Sequence, residues 1–229
     1  MLPRRWFLSR LGIGVAGLGG GVASAAPQAQ AAPAGGAWKP ARHAQDDWLD
    51  QVPGSHRLIF DTTTPQGFGQ VLLFVNNYLN ANKNGYNLQD ADLAVVVVVR
   101  HQSVSYAFTD AMWAKYGAGL AQHSGMNDPN TKQPPTVNIY NSSSYGTTLL
   151  SRGVMLDGLL KRGLQLAVCD VATGAAAGMA ATATGGDRAA IKAELMANRV
   201  ANSHMVPAGI VAVNRAQERG YAFAYAAGV

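Results

Sequence analysis

"DLAVVVVVRH", residues 92–101, decides the fold. Five consecutive valines leave no side of the segment for water. A strand of this kind is apolar on both faces, as in the centre of a parallel sheet covered by helices. Working outward, "HRLIFDT" (56–62) and "LQLAVC" (164–169) read as further strands, and "HMVPAG" (204–209) as a short one. "YAFAYA" (221–226) alternates Tyr221, Phe223 and Tyr225 on one side, as an edge strand does.

Helical periodicity fills the intervals. In "QGFGQVLLFVNNYLNANKNG" (66–85), Phe68, Val71, Leu72, Val75, Tyr78 and Leu79 share a face, and Gly85 suits the stop. "SVSYAFTDAMWAKYG" (103–117) predicts a second helix, with Val104, Phe108, Ala111 and Met112 inward and Gly117 at its end. "TTLLSRGVMLDGLLKRG" (147–163) has helical spacing through Leu149, Gly153, Leu156 and Leu160. After a run of small residues, a helix is expected from about 187 to 198, with Asp187 as N-cap. "IVAVNRAQERG" (210–220) is the last helix, closed by Gly220. Strands alternating with helices give an α/β fold, a three-layer sandwich on a mostly parallel central sheet. The stretch 118–146, rich in Asn, Ser, Pro and Thr, reads as a long surface loop or insertion.

The N-terminus reads as an address label. Arg4 and Arg5 open a basic region, residues 11–22 are short, Gly-rich and mildly apolar, and Ala23-Ser24-Ala25 is a small-x-small cleavage site. "RRWFLSR" (4–10) has the pattern of a twin-arginine export signal, and a weakly hydrophobic core suits that route. The expectation is a signal over 1–25, export of the folded chain to the periplasm, and no membrane attachment after cleavage. Residues 26–54 read as a flexible extension with one short helix before Pro53, and 55–229 as the folded domain. Of 18 basic residues, Arg4, Arg5 and Arg10 belong to the signal; the remaining 15 face 13 acidic ones. No basic stripe interleaved with aromatics follows, which argues against a nucleic-acid partner.

In parallel sheets, chemistry gathers at the carboxyl ends of the strands. Two reactive side chains sit at such ends: His101 after the valine strand, and Cys169 after "LQLAV". Cys169 is the only cysteine, so it closes no disulfide within the chain. A helix starting just beyond Cys169 and the His101 imidazole would favour a thiolate there, whereas Asp170 opposes one if it points the same way. Two accounts of Cys169 stay open: a reactive thiol, or an inert one that fills space. Trp113 and Tyr116, on the helix after His101, are candidates to line a pocket, or alternatively to cover the sheet or a subunit contact. The five histidines are scattered without metal-ligand spacing, and C-x-x-C and G-x-S-x-G are absent. His123 is expected to be exposed at the start of the loop. No metal or organic cofactor is expected.

With these residues in view, the chain from about 56 to 229 resembles the DsrE/DsrF-like family of sulfur-relay proteins. The resemblance is carried by Asn76-Asn77, by "VVVVVRH" with its terminal histidine, by "LLKRGLQLAVC", and by the tail "MVPAGIVAVNRAQERGYAFAYA". The family's histidine is commonly followed by glycine, where this chain has Gln102. The resemblance implies a compact α/β sandwich assembled into trimers or hexamers. It also implies Cys169 as a sulfur-accepting thiol with His101 near it, exchanging sulfur with a small sulfur-containing donor or acceptor. A non-catalytic oligomeric binding or scaffold protein with a buried Cys169 is the alternative on the same fold. An edge strand carrying three aromatics independently favours self-association.

Overall fold

Val95, Val97 and Val99 face one helical layer and Ala94, Val96 and Val98 the other, and all six are buried. In the computed structural model, which describes residues 39–228, they belong to strand β2 (Leu93–Val99). Residues 1–38, on which the expected export signal and most of the expected extension fall, lie outside the described residues. Strand β2 is the middle of a five-stranded sheet with β1 (His56–Thr62), β3 (Gln165–Cys169), β4 (Ser203–Val206) and β5 (Ala222–Ala226). The order is β4-β3-β2-β1-β5, and every pair is parallel. The protein is an α/β three-layer sandwich with helices on both faces of a parallel sheet.

The two helical layers are unequal. The thicker contains α2 (Pro65–Tyr86), α3 (Asp110–Ser124), α4 (Leu156–Lys161), α5 (Asp170–Thr184) and α6 (Arg188–Ala197). The thinner is formed by α1 (Trp48–Gln51) and α7 (Gly209–Gln217), which bury Leu49, Ala212, Val213 and Ala216 against Ile59 and the even-numbered side of β2. The compact unit reaches back to Pro40, so residues 44–52, read from sequence as part of an extension, belong to it. Arg57 and Tyr221 both donate to the Leu49 carbonyl, at 2.8 and 2.7 Å, and hold α1 on the sheet.

Caps explain several boundaries. Thr64 accepts from the Gly67 N–H and Pro65 follows it, so α2 begins where its first N–H groups are either capped or absent. Asn87, in the left-handed conformation, ends α2 two residues beyond Gly85. Asp187 caps α6 as its sequence predicts.

Three segments differ from the sequence reading. The residues after β2 form a 3-10 segment, His101–Ala107, before α3 begins at Asp110, and Ala111 points outward. Helix α3 runs through Gly117 to Ser124 and stops at left-handed Gly125. Gly117 is a close approach rather than a stop: a Cβ there would collide with the Pro135 carbonyl oxygen. The stretch read as a surface loop therefore begins with a helical turn and continues into packed chain. Ile139, Tyr140 and Tyr145 are buried, the Tyr140 hydroxyl donates to the Pro65 carbonyl at 2.7 Å, and Asn138 donates to the carbonyls of Tyr106 and Phe108. The small-residue run after β3 is α5, whose alanines, with Gly119 of α3, let two helices pack almost backbone to backbone.

Gly117→Ala is expected to lower unfolding free energy by about 1–3 kcal/mol through overpacking. Gly158→Ala, on α4 with nothing within 4 Å of the added carbon, is expected to raise it by about 0.5–1 kcal/mol. Urea denaturation of the two variants checks both signs.

Candidate functional site

The parallel register sets the carboxyl ends of the strands side by side. Val99 pairs with Val168, and Cys169 with Val206, so Arg100, Cys169 and the turn at Ala208 emerge on one edge. They border a cavity of about 330 Å³, open to solvent, whose other lining includes His101, His123, Gly209 and Ile210.

Cys169 ends β3 and is the N-cap of α5. Its Sγ accepts from the Ala172 N–H at 3.4 Å, and its carbonyl accepts from the Thr173 hydroxyl at 2.9 Å. The residue is 5% exposed, and that exposure lies in the cavity wall. Asp170 does not line the cavity. Its carboxylate is held by Lys192 of α6 at 2.8 Å.

Arg100 enters the cavity wall with its guanidinium fixed. Its Nε and Nη2 each donate at 2.8 Å to Asp61, whose side chain is buried beneath it. This bidentate pair holds the Arg100 proton still more firmly than usual, and partial burial works against it. Gly209 makes the contact with α7 possible: a Cβ would lie 2.7 Å from Arg100 Cβ and Cδ. The first turn of α7 thus rests on the arginine stem, and its N-cap, Ala208, supplies no side-chain acceptor for the leading N–H groups. Two helix N-termini and a guanidinium border one cavity that no carboxylate lines. Anions are favoured at such a place.

His101 follows at the rim. Its φ of 52° is left-handed, a conformation that suits glycine better than other residues. Buried Ser103 braces it, accepting from the Arg100 N–H at 3.0 Å, with the carbonyls of Arg100 and Thr62 at 2.8 and 3.0 Å as alternative acceptors for its one hydrogen. The imidazole of His101 is thereby exposed at the cavity mouth.

His123 is the residue the sequence reading misplaced. It lies on the last turn of α3, buried to 9% exposure, with Nδ1 3.2 Å from the hydroxyl of Ser105. Burial, and to a lesser degree the nearby His101, lower its pKa to about 4. The spacing Trp113, Tyr116, Leu120, His123 is one helical face, a signal that was lost once the helix was ended at Gly117. Arg100 was legible as the residue between the strand and His101, but nothing in the sequence alone pairs it with Asp61.

Trp113 and Tyr116 do not line this cavity. Trp113 is fully buried and packs on Tyr106 with ring centroids 5.5 Å apart. Tyr116 donates to Glu194 of α6 at 2.5 Å. Both belong to the core of the thicker layer. His204 lies elsewhere, stacked on Trp48 at 4.0 Å with its Nε2 3.0 Å from Gln165. Among the described residues, no three His, Cys, Asp or Glu side chains are grouped so as to hold a metal ion.

The lowered pKa of His123 has a stability consequence. Between pH 6.5 and about 4 the unfolded chain takes up a proton that folded His123 refuses, so the folded state loses stability as pH falls through that window. The full span corresponds to about 3 kcal/mol. His123→Gln is expected to show a weaker loss of stability between pH 7 and 4.5 than the unsubstituted protein, read from urea midpoints at the two pH values.

Comparison of the chain with family models, with curated proteins and with solved structures finds no match to any of them.

Proposed function

We propose that this protein is an exported sulfane-sulfur carrier in which Cys169 accepts one sulfur atom as a persulfide and yields it to a second thiol. The observation that carries the reading is the placement of the chain's single cysteine. It caps a helix in the wall of an open cavity, among two imidazoles and a guanidinium. A carrier needs one thiol and no second cysteine.

The step is a displacement at sulfur. With thiosulfate as donor, the Cys169 thiolate attacks the outer sulfur, a new S–S bond forms, the donor's S–S bond breaks, and its electron pair leaves with sulfite. With a persulfide donor, the same attack releases the donor's thiolate. Arg100 and the leading N–H groups of α7 are placed to hold the anionic leaving group. His101, exposed at the mouth, is placed to exchange protons with solvent.

Export rests on the twin-arginine pattern of residues 4–10 and places the working protein in the periplasm. Self-association, as a trimer or hexamer, rests on strand β5. It pairs on one side only, with β1, and exposes Phe223 and Tyr225. The competing reading, an oligomeric binding or scaffold protein with a structural cysteine, has the near-complete burial of Cys169 in its favour.

One experiment separates the two. The folded protein is incubated with thiosulfate, polysulfide or glutathione persulfide and its intact mass is measured. The carrier reading expects a gain of one sulfur atom, lost in Cys169→Ser. Absence of an adduct with all three donors, together with a thiol that reacts with iodoacetamide only after denaturation, leaves the scaffold reading in its place.

A further inference from the structure

The cavity has more machinery than a thiol and a surface histidine require. A persulfide carrier must also unload, and unloading onto an uncharged thiol has a proton to move. The incoming sulfur loses its hydrogen as it attacks, and the departing Cys169 sulfur needs one. Among the residues lining the cavity, Arg100 cannot accept a proton, and no carboxylate is present. The acceptors besides Cys169 are the two imidazoles. His101 is exposed at the rim, on a left-handed turn. His123 is buried in the wall, and the position of its hydrogen decides what it can do.

The argument for that hydrogen runs through Ser105. The Ser105 side chain is fully buried, and its hydroxyl has one hydrogen to give. In the relay proposed below, that hydrogen goes to the Leu120 carbonyl, 3.3 Å away in the preceding turn of α3. The Ser105 oxygen is then an acceptor toward His123, and Nδ1 of His123, 3.2 Å away, is the donor. An uncharged ring with its hydrogen on Nδ1 has a bare lone pair on Nε2. Among the described residues no group is hydrogen-bonded to that nitrogen, and the ring forms part of the cavity wall.

We propose that His123 is a catalytic residue of unloading, a proton relay whose Nε2 takes the hydrogen of an incoming low-molecular-weight thiol and returns it to Cys169. The inference rests on the persulfide reading above. In the balanced step, the thiol R–SH attacks the outer sulfur of Cys169–S–S⁻. The R–S bond to that sulfur forms and the Cys169 S–S bond breaks, with its electron pair passing to Sγ. The hydrogen moves from R–SH to Nε2 and on to Sγ, giving R–S–S⁻ and Cys169–SH. Charge and atoms balance without an oxidant or reductant. Burial keeps the ring uncharged at neutral pH, so its lone pair is present when the thiol arrives, and the hydrogen passes through the ring in concert with the sulfur attack. The cavity, at about 330 Å³, has room for a small thiol, and exposed Val171 and Ile210 flank it with apolar surface.

The test uses the full chain loaded with inorganic polysulfide and then mixed with glutathione, following loss of the added sulfur by intact mass. His123→Leu is expected to load to the same extent and to unload about 100-fold more slowly, the lower end of what general acid–base catalysis supplies. Imidazole added to His123→Gly is expected to restore part of the rate. Two-bond nitrogen–proton NMR on the unsubstituted protein is expected to place the ring hydrogen of His123 on Nδ1. Ser105→Ala, which keeps the ring, is expected to shift that hydrogen toward Nε2 and to slow unloading. Equal unloading by His123→Leu, or a hydrogen found on Nε2 in the unsubstituted protein, overturns the relay and leaves the carrier intact. Should His123→Leu not fold, the Ser105→Ala rate and the NMR tautomer decide. Failure of the unsubstituted protein to take up sulfur from any donor removes the carrier reading itself, a result distinct from either.

Discussion

A strand with no polar face cannot meet water, and this constraint organises the molecule. Burying β2 on both sides requires helices above and below the sheet, and covering a sheet that way requires crossovers that return each chain segment in the same direction. All five strands then finish at one edge. Arg100, Cys169 and Ala208 are far apart in sequence, yet each follows or ends a strand at that edge. The buried Asp61 carboxylate beneath Arg100 adds a second condition. A charge inside the sheet end must be paired, and the pairing fixes the guanidinium in the cavity wall.

What was legible in the sequence followed the strength of the periodic signal. The valine run, the edge strand at "YAFAYA" and the Asp187 cap each state a local preference with one physical solution, and the structure has all three, although Tyr221 precedes β5 and is buried apart from Phe223 and Tyr225. Helix α5 was illegible because alanine contrasts with nothing: a fifteen-residue stretch of mostly small side chains shows no apolar face, although Ala176, Ala177 and Ala180 are fully buried. Gly117 misled in the opposite sense. A glycine that ends a helix and a glycine that lets a carbonyl approach look alike in one sequence, and here the neighbouring carbonyl belongs to Pro135, eighteen residues onward. The same holds for 126–146, whose polar composition hides Tyr140, a ring packed among Phe68 and Tyr106.

The site divides along the same line. Cys169 and His101 were visible because strand ends in parallel sheets are places to look, and both line one cavity. Trp113 and Tyr116 were drawn in by aromatic character alone, and the core of the thicker layer holds both. His123 needed a helix boundary that local sequence did not mark. Arg100 needed a partner on another strand. The proposed carrier role stands on the chemistry that the cavity gathers around one sulfur.

The contact between Sγ of Cys169 and the Ala172 N–H has a consequence of its own. The sulfur that would carry a cargo is also the acceptor that starts a fifteen-residue helix. Any atom attached to it competes for the electron pairs that quiet the helix's first donors. The opening turn of α5 is thus tied to what one sulfur has to give, and a cargo on that sulfur, were the proposed role right, would be felt first as a loss of order there.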